Sequence, residues 1–140
     1  MNNILKIKNL QKIYHDLNGE IEAIKDITLD INQNELISIV GPSGCGKSSL
    51  LSILANIEKK SSGEIIFNKP NTKIGYMLQK DSLFPWRTIL ENCLVGLEIE
   101  NKLTEENKKK VINLLKKYGL YDFINKYPAS LSGGMRQRVG

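Results

Sequence analysis

The residues of this chain best suited to chemistry form a glycine-rich loop in its first half. They match the spacing G-x-x-x-x-G-K-[ST] without a mismatch and run Gly41-Pro42-Ser43-Gly44-Cys45-Gly46-Lys47-Ser48. A loop that wraps a triphosphate must point successive backbone N–H groups inward, and glycines permit the angles and close approach that this needs. Lys47 can place an ammonium between the β- and γ-phosphates, and the Ser48 hydroxyl can bind the Mg²⁺ that bridges them. This phosphate loop (residues 41–48) predicts a site for ATP and Mg²⁺, and we expect the adjoining Ser49 to belong to it.

The elements on either side of the phosphate loop have the types that such a site requires. The apolar run Glu35–Val40 predicts a buried strand before the loop, and Ser48–Ala55 predicts a helix after it. The positive end of that helix would add to the attraction for phosphate. An ordinary glycine-rich turn is the alternative, and it is disfavoured because strand, spacing and helix agree. Cys45 occupies a spacer position, and nothing in the sequence supports a redox role for it.

A second segment that could receive an anion lies near the end of the sequence. It places a hydroxyl and two glycines directly ahead of a predicted helix, and a helix N-terminus favours negative charge. The segment runs Leu131-Ser132-Gly133-Gly134-Met135-Arg136-Gln137-Arg138. Taken alone, its Ser-Gly-Gly tripeptide would be a weak indication of function.

Length, charge and cysteine content narrow the class of protein. The chain has 140 residues, enough for one domain, and a net charge of +5 with a pI near 9.2. The charge allows an anionic partner, but lysines such as Lys108–Lys110 are typical of a solvated helix face, and no nucleic-acid recognition motif accompanies them. The two cysteines lack the spacing of a disulfide framework, which favours a reducing cytoplasm. No signal peptide or membrane-spanning apolar run is visible, so any membrane role would be peripheral.

An antiparallel β layer is predicted ahead of the phosphate loop, with shorter strands after it. Apolar residues alternate with polar ones in the first two predicted strands, and the polar segment His15–Glu20, with a turn at Asn18-Gly19, separates them. The predicted strands are Ile4–Leu10 continued by Lys12–Tyr14, Ala23–Ile31, Glu64–Phe67 and Ile74–Leu78. Tyr14, near an expected sheet edge, could stack on an adenine ring or pack within its strand, and its residue type alone does not decide between the two.

From residue 82 onward the apolar positions follow a helical period. Helices are predicted at Thr88–Leu97 and Thr104–Tyr118, with a short helix over Tyr121–Asn125. Thr104 suits an N-cap, and Gly119 suits the position that ends the second helix. The sequence therefore divides into a β and phosphate-loop core, residues 1–81, and a helical subdomain, residues 82–140.

These motifs together resemble the ATP-binding subunits of ABC transporters, and the resemblance covers essentially the whole chain. The phosphate loop matches the Walker A motif, and residues 131–138 match the ABC signature, Leu-Ser-Gly-Gly followed by Met-Arg-Gln-Arg. Gln79, after a predicted strand, resembles the Q-loop glutamine, and Tyr14 fits the aromatic residue that stacks on adenine. The resemblance implies an α/β fold of the P-loop NTPase type, with an N-terminal antiparallel β layer and a helical subdomain.

The same resemblance implies a mechanism and a set of partners. Two ATPase subunits would form a head-to-tail dimer, in which the signature of one, through Ser132, Gly133 and Gly134, caps the ATP held by the phosphate loop of the other. Lys47 and Gln79 would take part in ATP hydrolysis, with Ser48 and Gln79 at the Mg²⁺. The ATPase subunits would lie at the cytoplasmic face of the membrane. Closure of their dimer would drive transmembrane permease subunits between inward- and outward-facing states. A solute-binding protein would be an indirect partner, and nucleic acid would not be one.

One segment is similar to a particular group of importers. Residues 79–86, Gln-Lys-Asp-Ser-Leu-Phe-Pro-Trp, resemble the nitrate, sulfonate and taurine group, which includes riboflavin- and pyrimidine-precursor-type systems. In such subunits this segment touches the coupling helix of the membrane partner. Phe84 and Trp86 would then be exposed apolar contacts, and packing within the helical subdomain is the alternative.

The family pattern continues past the residues present here. A Walker B strand with its Asp and catalytic Glu, a D-loop and a switch histidine would follow Gly140, because Asp122 lacks a preceding apolar strand and His15 lies too early. We therefore expect this chain to be a fragment of a longer ATPase and to hydrolyse ATP poorly on its own. In such a fragment the predicted strand at Leu36–Val40 would expose an apolar edge. Two other hypotheses are a nucleotide-binding module without hydrolysis and an ABC-type ATPase that serves DNA repair or translation.

Overall fold

The structure, a computed structural model, describes residues 3–17, 19–70, 72–79 and 82–140. It divides into two units, Met1–Tyr76 and Met77–Gly140, and each has a hydrophobic core of its own. The elements of the first unit are β1 (Asn3–Asp16), β2 (Gly19–Asn32), α1 (Lys47–Leu54) and β3 (Ser62–Phe67). Those of the second are α2 (Ile89–Ile99), α3 (Glu105–Lys117), α4 (Gly133–Val139) and two 3₁₀ turns, Tyr121–Phe123 and Pro128–Ser130.

The first unit is built on a three-stranded antiparallel sheet in the order β2-β1-β3. Helix α1 packs on this sheet because its apolar residues and those of β1 and β2 form one buried cluster. The buried members are Leu5, Ile7, Leu10, Ile24, Leu50 and Ile53. Removing these side chains from water holds α1, whose first residue is Lys47, in a fixed place beside the sheet.

A bulge in β1 keeps its side chains on the helix side of the sheet. Asn9 has a φ of 47°, and the pairing with β2 shifts by one residue between Ile7 and Leu10. Since side chains alternate between the two faces of a strand, Ile7 and Leu10 could not share a face without this extra residue. Gly63 of β3 lies against the bulge, where a β-carbon would be 2.3 Å from the Asn9 carbonyl oxygen. The bulge therefore leaves room only for glycine at position 63.

The second unit is helical, as the sequence predicts from residue 82 onward. Its core consists of Ile89, Leu115, Leu120 and Leu131. The predicted cap of α3 is confirmed, since the Thr104 side chain accepts a hydrogen bond from the Asn107 amide at 3.2 Å. Gly119, with a φ of 70°, follows the end of that helix as predicted.

Helix α2 begins with a reciprocal capping box. The Thr88 hydroxyl accepts a hydrogen bond from the Glu91 amide at 3.3 Å, and the Glu91 carboxylate accepts one from the Thr88 amide at 2.7 Å. The Thr88 amide, together with the Thr88 hydroxyl, which donates to Glu91 Oε2 at 2.8 Å, holds the pKa of the Glu91 carboxyl below its ordinary value of 4.5. The box satisfies N–H groups that a helix start would otherwise leave without partners.

We expect Thr88→Ala to lower the free energy of unfolding of the helical unit by about 1 kcal/mol, because the cap is lost. Urea unfolding followed by the fluorescence of Trp86, the single tryptophan, measures this change. The gap between wild type and variant should shrink as the pH falls below 4.5, because only the wild type has the bond from the Thr88 hydroxyl to the Glu91 carboxylate, and protonation of Glu91 weakens that bond. Thr88→Ser keeps the hydroxyl and is the matched control. If the serine variant lost as much stability as the alanine variant, the cap would not be the cause.

Two segments predicted as buried strands lie outside the described sheet. Residues 35–40 and 74–78 have no strand structure, and Leu36 and Val40 are 95% and 92% exposed. The strand predictions for Glu35–Val40 and Ile74–Leu78 are therefore wrong for the chain as described. An apolar run becomes a buried strand only where neighbouring strands pair with its backbone and both its faces are covered, and the sheet β2-β1-β3 supplies neither here. The apolar edge predicted at Leu36–Val40 is present only as exposed side chains, because the segment forms no strand.

The hairpin between β1 and β2 is tighter than predicted. His15 and Glu20 are paired strand residues rather than part of a polar loop, and the His15 Nδ1 lies 3.1 Å from Glu20 Oε1. Pairing of these polar side chains lets the ladder run on to Asp16 and Gly19. Other residues of predicted turns and of the segment 79–86 lie outside the described residues, namely Asn18, Asn71, Lys80 and Asp81.

Candidate nucleotide-binding site

The start of α1 presents backbone donors that no side chain of the described chain caps. Gly46 is the N-cap residue, with a φ of 89°, and it has no side chain that could accept a hydrogen bond. The first intrahelical bond joins the Leu50 amide to the Gly46 carbonyl at 2.9 Å. The amides of Lys47, Ser48 and Ser49 are therefore the donors that an α-helix leaves for a ligand, at the end where the helix dipole is positive.

Two glycines set the path of the phosphate loop. Gly44 and Gly46 have φ values of 81° and 89°, which only glycine adopts without strain. A β-carbon on Gly46 would lie 2.2 Å from the carbonyl oxygen of Ala23 in β2. The loop thus runs against the edge of the sheet at a distance that no side chain would permit, which fixes the N-terminus of α1.

The ammonium of Lys47 is held inside the curve of its own loop. Its Nζ donates to the carbonyl oxygens of Gly41 at 2.7 Å and Pro42 at 2.6 Å, and lies 3.4 Å from the Cys45 sulfur. These neutral acceptors do not neutralise the lysine, so its charge remains available to an anion at the mouth of the loop. Pro42 and Ser43 are exposed, as is Ser48 in the first turn of α1.

The first unit also brings Tyr14 to α1. The Tyr14 hydroxyl is 2.9 Å from the Ser49 hydroxyl and donates to Glu58 Oε2 at 2.5 Å. The Lys12 ammonium lies 4.5 Å from the centre of the tyrosine ring. The hydrogen bond to the Glu58 carboxylate raises the pKa of the Tyr14 phenol above its ordinary value, and the Ser49 contact acts in the opposite direction. β1 is the central strand of the sheet, but its pairing with β3 ends at Gln11–Ser62. On the β3 side, Tyr14 therefore lies beyond the paired residues, near an edge of the sheet.

The remaining predicted site residues belong to the second unit. Gln79 is exposed and lies outside any helix or strand. Ser132 is the N-cap of α4, and its hydroxyl accepts a hydrogen bond from the Met135 amide at 3.3 Å. Gly133 and Gly134 are exposed in the first turn of that helix. The structure thus gathers Tyr14 and residues 41–49 in one unit, and Gln79 and residues 132–134 in the other.

A pair of aromatic rings stands exposed before α2. Trp86 is 71% exposed and Phe84 is 38% exposed, and their ring centres are 5.3 Å apart. Asn92, which the sequence analysis overlooked, holds this turn by accepting from the Phe84 amide and donating to the carbonyl oxygens of Phe84, Arg87 and Thr88. The tryptophan is therefore presented on a hydrogen-bonded turn instead of packing into the helical core.

Sequence reasoning also missed Lys12 and Glu58 as neighbours of Tyr14. A signal for Lys12 existed, since residues two apart in a strand share a face. Glu58 lies 44 positions from Tyr14 in the sequence, and no local pattern marks it. Among the described residues, no three His, Cys, Asp or Glu side chains come together as a metal site would require, and none of the helices has the length and apolar character needed to cross a membrane.

Comparison with known proteins gives consistent matches. A family model described as ABC transporter matches residues 24–140. The ABC transporter ATP-binding protein YtlC of Bacillus subtilis is 46% identical, in a match that covers 96% of this chain and 54% of that protein. The taurine import ATP-binding protein TauB of Roseobacter denitrificans is 39% identical over 96% of this chain and 53% of its own length. The chain thus spans about half the length of these curated relatives.

Solved structures resemble this one as well. The dimeric post-hydrolysis state of the ATP-binding cassette MJ0796, bound to ADP and Pi, matches with a TM-score of 0.85 at 33% identity. The match covers 97% of this chain and 66% of that one. This likeness confirms the fold class predicted from the sequence.

Proposed function

Because this chain belongs to the ABC transporter family, we propose that it forms the ATP-binding part of a subunit that powers the import of a small nutrient. The observation that carries the proposal is the Lys47 ammonium, enclosed by the phosphate loop at the uncapped start of α1. A triphosphate offers that ammonium better acceptors than its two neutral carbonyl oxygens, and it offers acceptors to the helix amides that have none in their own turn.

In this proposal the residues of the phosphate loop bind different parts of the Mg²⁺-ATP complex. Lys47 binds the β- and γ-phosphates, and the uncapped amides of Lys47, Ser48 and Ser49 donate to phosphate oxygens. The exposed Ser48 hydroxyl is free to bind Mg²⁺, and phosphate oxygens and water would fill the positions that Ser48 and Gln79 leave, as is usual for this ion. Gln79 would contact Mg²⁺ and the attacking water, and Tyr14 would stack on the adenine.

The proposed partners follow from two further features. Ser132, Gly133 and Gly134 would cap the ATP of a second copy in a head-to-tail dimer, and a related solved structure is described as a dimer bound to ADP and Pi. The exposed Trp86, fixed on its turn by Asn92, would contact the permease subunit at the cytoplasmic face of the membrane. A solute-binding protein would deliver the nutrient to that permease.

For the nutrient, we favour a small sulfonate or a related anion. Relatives that support this choice are named for taurine and aliphatic sulfonate import, at 39% and 33% identity. Another relative, 38% identical, is named for lipoprotein release, so the choice needs a direct test.

The test has two parts. Calorimetric titration of the chain with ATP and Mg²⁺ should give saturable binding, and a form extended to the length of its relatives should hydrolyse ATP when reconstituted with its permease. Uptake of taurine or an alkanesulfonate by those vesicles should require ATP. Binding without hydrolysis in the extended form would favour a nucleotide-binding module instead, and the absence of binding would reject the proposal.

A further inference from the structure

The environment of Tyr14 contains more polar contacts than packing of a strand aromatic needs. Its hydroxyl contacts two side chains that approach from different parts of the chain, Ser49 in the first turn of α1 and Glu58 after the end of that helix. Behind the ring, the Lys12 ammonium donates to the Lys59 carbonyl oxygen at 2.8 Å and lies 4.0 Å from Glu58 Oε2. We call Tyr14, Lys12, Ser49 and Glu58 the tyrosine clamp.

Each contact of the clamp restricts the tyrosine ring in a different way. The Glu58 bond is charge-assisted and short, so it fixes the hydroxyl end of the ring. The Lys12 side chain, only 14% exposed, lies over one face, so a planar group that stacks on the ring would take the opposite face. The Ser49 bond ties the ring to the residue that adjoins the proposed Mg²⁺ ligand Ser48. Ring position and phosphate-loop position are therefore coupled.

We propose that Glu58 and Lys12 are positioning residues that hold the Tyr14 ring at a set distance from the phosphate loop, so that it accepts the base of a nucleoside triphosphate on the face opposite Lys12. This inference rests on the proposed function of the phosphate loop and extends it to the base. Neither residue touches the nucleotide. They act through Tyr14, and their effect is confined to the part of the binding energy that the base supplies.

That restriction gives the proposal a sharp test, because tripolyphosphate offers the same phosphates as ATP but has no base. The dissociation constants of Mg²⁺-ATP and Mg²⁺-tripolyphosphate are measured by calorimetry on the full chain. Wild type should prefer ATP by roughly tenfold or more, as stacking of one base on an aromatic ring allows. In Glu58→Ala and Tyr14→Phe this preference should fall by at least about threefold, while the affinity for tripolyphosphate stays within about twofold.

Two further kinds of variant distinguish a positioning role of Glu58 from a general effect on folding, namely a conservative substitution of Glu58 and a substitution far from Tyr14. Glu58→Gln keeps the size and an acceptor oxygen, so it should recover most of the preference for ATP. Combining Glu58→Ala with Tyr14→Phe should add little to either change alone, because both remove the same bond. Glu64→Ala removes an exposed carboxylate of β3 that pairs with Lys8, and it should leave both affinities unchanged.

The outcomes distinguish this inference from the proposed function. If Glu58→Ala weakened both ligands equally, or neither, the clamp would have no role in base recognition and the inference would be overturned. A wild-type chain that bound both ligands with equal affinity would overturn the clamp while leaving phosphate binding intact. A wild-type chain that bound neither ligand would overturn the proposed function and the clamp together.

Discussion

Replacing Lys47 by alanine is expected to weaken binding of Mg²⁺-ATP by roughly 30-fold or more, since removing one partner of a hydrogen-bonded charge pair costs about 2–5 kcal/mol. The ammonium is the one charged group that the described phosphate loop turns inward, where it contacts the carbonyl oxygens of Gly41 and Pro42. Without it, the triphosphate would meet backbone amides alone. Calorimetry on the chain measures the loss, and ATP hydrolysis by the extended form should fall to background.

The control for this prediction is Lys25→Ala. Lys25 is an exposed residue of β2, so its removal changes the net charge equally without touching the phosphate loop. Its effect on binding should be small, and smaller still at higher salt, because exposed charges act only through a screened field. If Lys47→Ala bound ATP within about threefold of wild type, the loop would not be the phosphate site.

Replacing Gly63 by alanine is expected to lower the free energy of unfolding of the first unit by at least about 2 kcal/mol. Two costs combine, because the φ of 85° is strained for any residue with a β-carbon, and that carbon would lie 2.3 Å from the Asn9 carbonyl oxygen. The Asn9 carbonyl group cannot simply move away from the new β-carbon, because Asn9 forms the bulge that keeps Leu10 on the face covered by α1. Hydrogen exchange of the amides in β1 and β3 reports the loss.

Gly75→Ala is the matched control for Gly63→Ala. Gly75 belongs to the same unit, and a β-carbon there would meet nothing within 4 Å. We expect a change within about 0.5 kcal/mol, as for exposed substitutions away from special features. Equal destabilisation by the two variants would show that loss of a glycine as such, and not the contact with the bulge, was responsible.

The features that could be predicted from the sequence are those set by neighbours along the chain. The spacing of Lys47 and Ser48 with three glycines is a local pattern, and so are the cap at Thr104 and the helix end at Gly119, which depend on interactions within one turn. The structure confirms the cap at Thr104 and the helix end at Gly119. The presence of helices α2 and α3 followed from their apolar period for the same reason.

What could not be predicted depends on contacts between distant residues. Glu35–Val40 has the composition of a buried strand, but its conformation depends on whether other strands pair with it, and no local signal supplies that information. Two such contacts are the hydrogen bond between Tyr14 and Glu58 and the close approach of the Asn9 carbonyl to Gly63. Both require that β1, β3 and α1 have already packed together. Tyr14 could be suspected from its residue type and Lys12 from its position two residues away in the same strand, whereas Glu58 could not.

The exposed segment at residues 35–40 has a practical consequence for work with this chain. Leu36 and Val40 project bulky aliphatic groups into solvent from a backbone that the described sheet does not pair, and such a segment is a template for strand pairing between molecules. Concentrated samples should therefore be prone to aggregation, which would lower the apparent number of nucleotide sites per chain. Dilute solutions and light-scattering controls are the appropriate conditions for every affinity measured on it.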